Sequence, residues 1–420
     1  MQALRGTKDI LPTEIQYWQH IYDIAHQILS NASYYEIRTP IFESTELFKR
    51  GIGNFTDIVN KEMYTFEDQG KRSITLRPEG TASIARSFIS NKLYIDSPIN
   101  RLWYLGPMFR YERPQKGRQR QFHQLGIECI GSHSSTADVE VIRLAIQIIK
   151  RLKISEYKLE INSIGNIEER KIYEDNLVNY LKIYEKELDE HSQKRLYNNP
   201  LRILDSKNNK TQQILSEAPK LMSYLSSNSI NHFDQICEHL KYLNIPYTIN
   251  ENLVRGLDYY NYTAFEIKTK KLGSQDTICG GGRYDHLIRQ LGGPDTPSVG
   301  WAIGIERLLL IIENNLYLPT TKPSIYLITQ GTIAKKQIWD IIQILEKHKI
   351  TFELDLNENN FKKQMKQANQ SHAQICCILA EYEVEHNCIT IKWLQTGKQE
   401  SIKIEALEQY FEQIQKSITS

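Results

Sequence analysis

Two β-prone runs, Arg101–Leu105 and Phe122–Ile130, are separated by a stretch from Gly106 to Gln121 that is too long for a tight hairpin turn. Runs placed like this pair as antiparallel neighbours, and a connection of that length is usually either functional or disordered. Any fold for this chain therefore has to hold a strand pair whose long loop stands clear of the sheet.

The rest of the pattern fits around that pair. Pro12, then Thr13 with Gln16 three residues on, form a capping-box pattern. Ile15, Trp18, Ile21, Tyr22, Ala25, Ile28 and Leu29 follow at helical spacing, which predicts a core-facing helix. Tyr35–Glu43 is short, β-prone and broken by Pro40, so it belongs at an edge or interface. A helix over Ala137–Leu152 precedes a strand around Tyr157, Leu159 and Ile161.

Between Gly165 and Glu251 the chain turns polar and helical, with Pro200, Pro219 and Pro246 as punctuation, which predicts an inserted helical module. Strand signals return at Tyr262–Thr269 and Ser298–Gly304, the latter feeding an apolar helix over Ile305–Ile312. Past Pro319 and Pro323, strand and helix alternate over Ser324–Ala380, which predicts a separate α/β domain. The expected division is thus residues 1–165, an insertion over 166–250, a second core part over 251–320, and a last domain over 324–420.

Composition excludes more than it proposes. Lys and Arg number 52 against 50 Asp and Glu, so a nucleic-acid partner has to be held by local basic patches rather than by an overall positive field. The six cysteines show no CxxC pair, which speaks against zinc and for reduced thiols in a cytosol-like compartment. No apolar run reaches membrane-spanning length, and Met1–Ile15 lacks the basic flank and apolar core of a secretory signal.

Five segments carry chemistry. Phe109–Arg120, inside the long connection, holds five cations; as a basic run it reads as a solvated hairpin tip. Its opening Phe-Arg-x-Glu adds a second reading, because a guanidinium leaving a sheet can clamp a phosphate while the nearby carboxylate accepts from an exocyclic amine, a pair suited to ATP. Leu76–Thr81 is a Pro/Gly turn in which a carboxylate and a hydroxyl could hold an ammonium group. Leu253–Tyr260 gathers an arginine and aromatics that could equally form a half-buried turn. Cys279–Asp285 has a triple glycine opening a helix, where a backbone can approach a ligand, yet it matches neither GxGxxG nor the P-loop. Gly304–Arg307 puts a cation in the first turn of a helix, a position that calls for a nearby anion or a local carboxylate partner.

Taken in order, these segments resemble the signatures of class II aminoacyl-tRNA synthetases, and specifically of the histidyl family. Tyr35–Gly53, Phe109–Glu112 and Ser298–Arg307 are similar to motifs 1, 2 and 3, while Leu253–Tyr260 and Gly280–Asp285 match the two histidine-specific signatures. Leu4–Asp9, Asn199–Asp205 and Phe361–Met365 also resemble the family; Ala380 departs from it, since relatives usually carry glycine there.

The resemblance implies an α+β catalytic core, with a six-stranded antiparallel sheet flanked by helices, a helical insertion, and a C-terminal α/β anticodon-binding domain. It implies a homodimer formed through motif 1, acting on histidine, ATP with Mg²⁺, and the acceptor stem and anticodon of tRNA(His). No organic prosthetic group, protein-held metal or membrane is expected, and the implied location is the cytoplasm, or an organelle's stroma or matrix. Carried over by position, Arg110 and Arg255 would act on the α-phosphate; Glu112, Phe122 and Arg307 would hold the adenine and outer phosphate. Glu79, Thr81 and Gln124 would bind histidine's backbone groups, Glu128 and Tyr260 its ring nitrogens, with Arg255 and Tyr284 completing that pocket. Arg113, Gln115, Lys116 and Arg118 would meet the acceptor stem. The alternative is a synthetase-like regulatory subunit of ATP phosphoribosyltransferase, which typically degrades these signatures and lacks the last domain.

Overall fold

Period-two alternation along the strands decides which face of the sheet becomes core and which stays open. The computed structural model describes residues 1–53, 56–273, 276–313, 315–318, 323–357 and 359–418, and it divides into two compact units, Met1–Leu318 and Pro319–Ser420. Pro319 and residue 320, where sequence places the end of the core, lie outside the described residues.

The first unit contains β1 (Tyr35–Glu36), β2 (Phe42–Ser44), β3 (Tyr64–Glu67), β4 (Ser73–Leu76), β5 (Asn100–Phe109) and β6 (Gln121–Ile130). It continues with β7 (Lys158–Ser163), β8 (Tyr247–Ile249), β9 (Asn261–Lys268), β10 (Thr277–Arg283) and β11 (Ser298–Gly304). The main sheet is 8-stranded in the order β1-β5-β6-β11-β10-β9-β7-β8. Its six inner strands pair antiparallel, as expected, while β1 and β8 add parallel edges. Edge strand β1 opens the stretch Tyr35–Glu43 expected at an edge or interface, while β8, three residues long, is too short for alternation to reveal it. Strands β2, β4 and β3 form a separate small sheet.

Leu125, Ile127 and Cys129 on β6, Phe265 and Ile267 on β9, and Val299, Trp301 and Ile303 on β11 point to one face. Helices Pro12–Asn31, Ser135–Arg151 and Ser227–Tyr242 bury that face through residues such as Ile21, Ile142 and Ile236. The intervening positions, Gln124 and Glu128 on β6, Glu266 on β9, Gly280 and Gly282 on β10, and Gly300 and Ala302 on β11, take the opposite face. The first helix starts at Pro12 as expected, but its N-cap is Leu11 and no side-chain cap forms: the Gln16 amide donates to the Thr13 carbonyl instead. The triple glycine lies inside strand β10 and does not open a helix.

Between β7 and β8 the chain is helical over Ile167–Ile183, Glu190–Arg195, Asn209–Ser216 and Ser227–Tyr242, with a 3₁₀ turn at Pro200–Ile203. Asn166 and Glu169 form a reciprocal capping box at its first helix. Its last helix buries Phe233, Ile236 and Leu240 in the main core, so this segment is not a free-standing module along its whole length.

The second unit holds β12 (Ile325–Thr329), β13 (Phe352–Leu354), β14 (Ile375–Leu379), β15 (Cys388–Trp393) and β16 (Gln399–Lys403), ordered β13-β12-β14-β15-β16. The first three are parallel and the last two antiparallel. Helices Thr332–Lys347 and Leu407–Ile418 cover one face through Ile338, Leu345, Leu407 and Phe411.

Candidate active site

The open face of the main sheet carries a cleft of about 360 Å³. Arg110, at the end of β5, Arg255, in the segment before β9, and Arg307, in the first turn of helix Ile305–Ile312, all line it. Sequence positions almost two hundred residues apart therefore bring three guanidinium groups to one space.

Each is held differently. Arg110 donates through Nε to the Pro78 carbonyl at 2.8 Å, and its guanidinium lies 5.2 Å from the centre of the Phe122 ring. Arg255 pairs with Glu266 and stands over the Tyr260 ring at 5.6 Å, leaving its buried Nε without a partner. Gly280 makes that path possible, because a Cβ there would collide with the Arg255 guanidinium. Arg307 donates to the Thr277 carbonyl at 2.7 Å; burial, and then Arg118, lower its pKa, with Glu112 acting against them. A half-buried guanidinium beside other cations is a site that favours an anion.

At the other end lies a carboxylate floor. Glu79 follows the turn after β4 and accepts from the backbone N–H groups of Thr81 (2.8 Å) and Ala82 (2.7 Å), at the start of helix Thr81–Ser90. Burial pushes its carboxyl above the ordinary range despite those bonds. Glu128, 1% exposed, accepts from the hydroxyls of Thr81 (2.7 Å) and Tyr284. Burial drives its pKa up to about 8, against the pull of those two hydroxyls. Two buried acids with neutral donors around them form a pocket that favours a cationic or N–H-rich ligand. Gln124 lines the same space with its buried Oε1 unpartnered.

Glu79, Thr81, Arg110, Glu112, Phe122 and Gln124 line the cleft, as do Arg255, Tyr260 and Arg307. Glu128 and Tyr284 lie beneath the lining, bonded to each other. The loop residues divide: Arg113, Gln115 and Lys116 are exposed, whereas Arg118 turns into the cleft and pairs with Glu112 at 3.0 Å. Gln115 and Arg118 close the loop tip by an isolated bridge, with Gly117 at φ +75° between them. The N-terminal segment pins the loop's return, Arg120 N–H donating to the Gly6 carbonyl at 2.7 Å.

Sequence reading missed Glu266, the partner of Arg255, although a lone acid between Phe265 and Ile267 is the polar position of an alternating strand. It also missed Glu306, whose carboxylate accepts from the His123 N–H at 3.0 Å and lies 2.9 Å from His123 Nδ1. Among the described residues no cluster of three or more His, Cys, Asp or Glu is placed to hold a metal.

A mixed sheet with an antiparallel centre, its open face bearing three guanidinium groups and two buried carboxylates, fits the class II aminoacyl-tRNA synthetase core that the sequence signatures imply. Comparison with known proteins gives the family. Residues 6–308 match the family model described as histidyl-tRNA synthetase, and residues 324–414 match that of the anticodon binding domain. A chloroplastic histidine–tRNA ligase of Gracilaria tenuistipitata var. liui is 66% identical over 394 residues, covering 94% of each chain. A histidine–tRNA ligase of Cyanothece sp. (strain PCC 7425 / ATCC 29141) is 54% identical over 400 residues, covering 95% of this chain and 93% of its own. The crystal structure of apo S. aureus histidyl-tRNA synthetase superposes with a TM-score of 0.82 at 37% identity, covering 98% of this chain and 99% of the other. The chain belongs to the histidyl-tRNA synthetase family. Its activity is that of a histidine–tRNA ligase, and the regulatory-subunit alternative is not favoured.

Proposed function

We propose that histidine and ATP meet in this cleft and that the residues named above carry the ligase reaction. In the first step a carboxylate oxygen of histidine attacks the α-phosphorus of ATP; the new acyl–phosphate bond forms as the bond to pyrophosphate breaks. In the second, a ribose hydroxyl of the terminal adenosine of tRNA(His) attacks the acyl carbon and AMP leaves. Both steps depend on alignment and on neutralising charge that builds on phosphate oxygens. The observation that carries this reading is the convergence of Arg110, Arg255 and Arg307 on one cleft above an acidic floor.

Arg110 and Arg255 act on the α-phosphate, and the unpartnered Nε of Arg255 supports that role. Arg307 takes the outer phosphate, which supplies the anion its surroundings lack. Adenine stacks on Phe122 and donates its amine to Glu112, displacing Arg118 from that carboxylate. Glu79, Thr81 and Gln124 hold the ammonium and carboxylate of histidine. An imidazole N–H replaces the Thr81 hydroxyl on Glu128, Tyr260 meets the second nitrogen, and Tyr284 keeps Glu128 in place. A side chain without ring nitrogens would leave buried polar groups unpaired, so discrimination needs no editing.

The divalent ion is Mg²⁺ carried on the outer phosphates of ATP, where it offsets their charge. Arg113, Gln115 and Lys116, exposed at the loop tip, meet the acceptor stem, and the second unit meets the anticodon. Dimerisation through motif 1 is supported by the exposed apolar side chains of Tyr35 on β1, Ile41 just before β2, and Phe42 and Phe66 on the small sheet. Among the described residues no helix is long and apolar enough to cross a membrane. The chloroplastic relatives support a plastid stroma as the location.

Histidine-dependent exchange between ATP and pyrophosphate tests the reading. The wild-type chain exchanges, and Arg255→Ala loses exchange while keeping its circular dichroism spectrum; an active Arg255→Ala protein would overturn the assignment.

A further inference from the structure

The segment that carries Arg255 and Tyr260 has little structure of its own. Residues 253–260 belong to no helix or strand, so ladder hydrogen bonds do not fix their backbone. Three side chains from the polar helical segment do part of that work. Arg202 Nη2 donates to the Gly256 carbonyl at 2.9 Å, one residue past Arg255. Asn199 Nδ2 donates to Asp258 Oδ1 at 3.3 Å, and Arg170 Nη1 donates to the Tyr260 carbonyl at 2.7 Å.

Arg202 is the most telling of the three, because its guanidinium also reaches a third element. Nη1 lies 3.1 Å from Asp57 Oδ2, and both Arg202 and Asp57 line the cleft. Gly256 leaves room for it, since a Cβ there would stand 2.7 Å from Arg202 Nη2. The Asp57 carboxylate is about half exposed, so that ion pair adds little to stability. What the fork supplies is geometry: two bonds in fixed directions tie the Arg255 segment to the cleft rim.

We infer that Arg202, with Asn199 beside it, is a positioning residue for adenylate formation: the 3₁₀ turn Pro200–Ile203 fixes the backbone on which Arg255 reaches the α-phosphate. Through that turn the inserted helices serve the first, tRNA-free step of the reaction. The inference rests on the role proposed for Arg255.

The test uses the full chain and follows ATP–pyrophosphate exchange without tRNA, aminoacylation with tRNA, and thermal midpoint, with Arg255→Ala as the control. Arg202→Ala is expected to lower kcat for exchange about ten- to a hundredfold, the cost of misplacing an aligned group by about 1 Å. KM for histidine and ATP should change far less than kcat, because the loss falls on the transition state. Arg202→Lys should recover only part of the rate, since an ammonium cannot span both acceptors. Asn199→Ala, a milder change, should shift kcat the same way by a smaller factor and covers the case in which Arg202→Ala does not fold.

Wild-type exchange in Arg202→Ala, with only aminoacylation impaired, would assign the residue to tRNA and overturn the inference. A kcat loss matched by an equal loss of folded protein in both Arg202→Ala and Asn199→Ala would overturn it too. Should Arg255→Ala exchange normally, the role of Arg255 fails first and takes the inference with it.

Discussion

Gly280→Ala separates catalysis from stability more sharply than removing a charged residue. Gly280 sits in the middle of β10, paired with Glu266 of β9 and Ala302 of β11, at a backbone angle any residue can adopt. An added Cβ would stand 2.7 Å from both Cζ and Nη1 of Arg255 and closer still to Nη2, against 3.4 Å for ordinary contact. All the clashing atoms belong to the far end of one flexible side chain, so the sheet need not move; the guanidinium must retreat by roughly 1 Å, a displacement that costs about a hundredfold when the group is aligned on a reacting centre. Loss of one preorganised donor gives a similar figure, about 3–4 kcal/mol of barrier. Alanine also removes backbone freedom from the unfolded chain, worth about 0.5–1 kcal/mol in favour of the fold, which offsets a disturbed Arg255–Glu266 pair. Exchange with pyrophosphate should therefore fall about a hundredfold, while the thermal midpoint stays within about 3 °C of wild type. Exchange within about threefold of wild type would refute the idea that Arg255 works from the position seen here.

Two further outcomes follow from the acidic floor and the loop tip. Because burial raises the Glu128 pKa from 4.5 to about 8, its contribution to stability is fully present below pH 4.5 and is lost as pH rises through 8. Glu128→Gln should accordingly raise the thermal midpoint of the ligand-free protein at pH 8.5 more than at pH 5, while histidine affinity falls; an equal shift at both pH values would contradict the buried charge. Lys116→Ala should weaken tRNA(His) binding and make the slope of log affinity against log salt shallower by about 1, the signature of one lost phosphate contact; an unchanged slope would remove Lys116 from the interface.

What sequence made legible follows from what leaves a local trace. Strands β6, β9 and β11 were legible as β-prone runs, and Ser298–Gly304 with its helix was placed to the residue. Of the two parallel edge strands, Tyr35–Glu36 opens the β-prone stretch Tyr35–Glu43 that Pro40 assigned to an edge or interface, whereas Tyr247–Ile249 left no trace. In the second unit β15 and β16 went unnoticed: Gln399–Lys403 is largely polar, whereas Cys388–Trp393, with Ile389 and Ile391 buried, carries a β-prone pattern that was passed over. The triple glycine was misplaced at a helix start because its cause is remote: Gly280 and Gly282 are small to admit Arg255 and Tyr260. Arg118 was assigned outward with its neighbours, yet the turn at Gly117 swings it inward onto Glu112. Long-range partners of this kind, Glu266 for Arg255 and Arg202 for Gly256, have no spacing rule to betray them.

A crystal structure with a non-hydrolysable histidyl-adenylate analogue tests the central claim most directly. The account predicts the phosphate mimic between Arg110 and Arg255, the adenine on Phe122, and the imidazole ring between Glu128 and Tyr260. An analogue bound elsewhere on the chain, or one bound in the cleft with its ring away from Glu128, would contradict it.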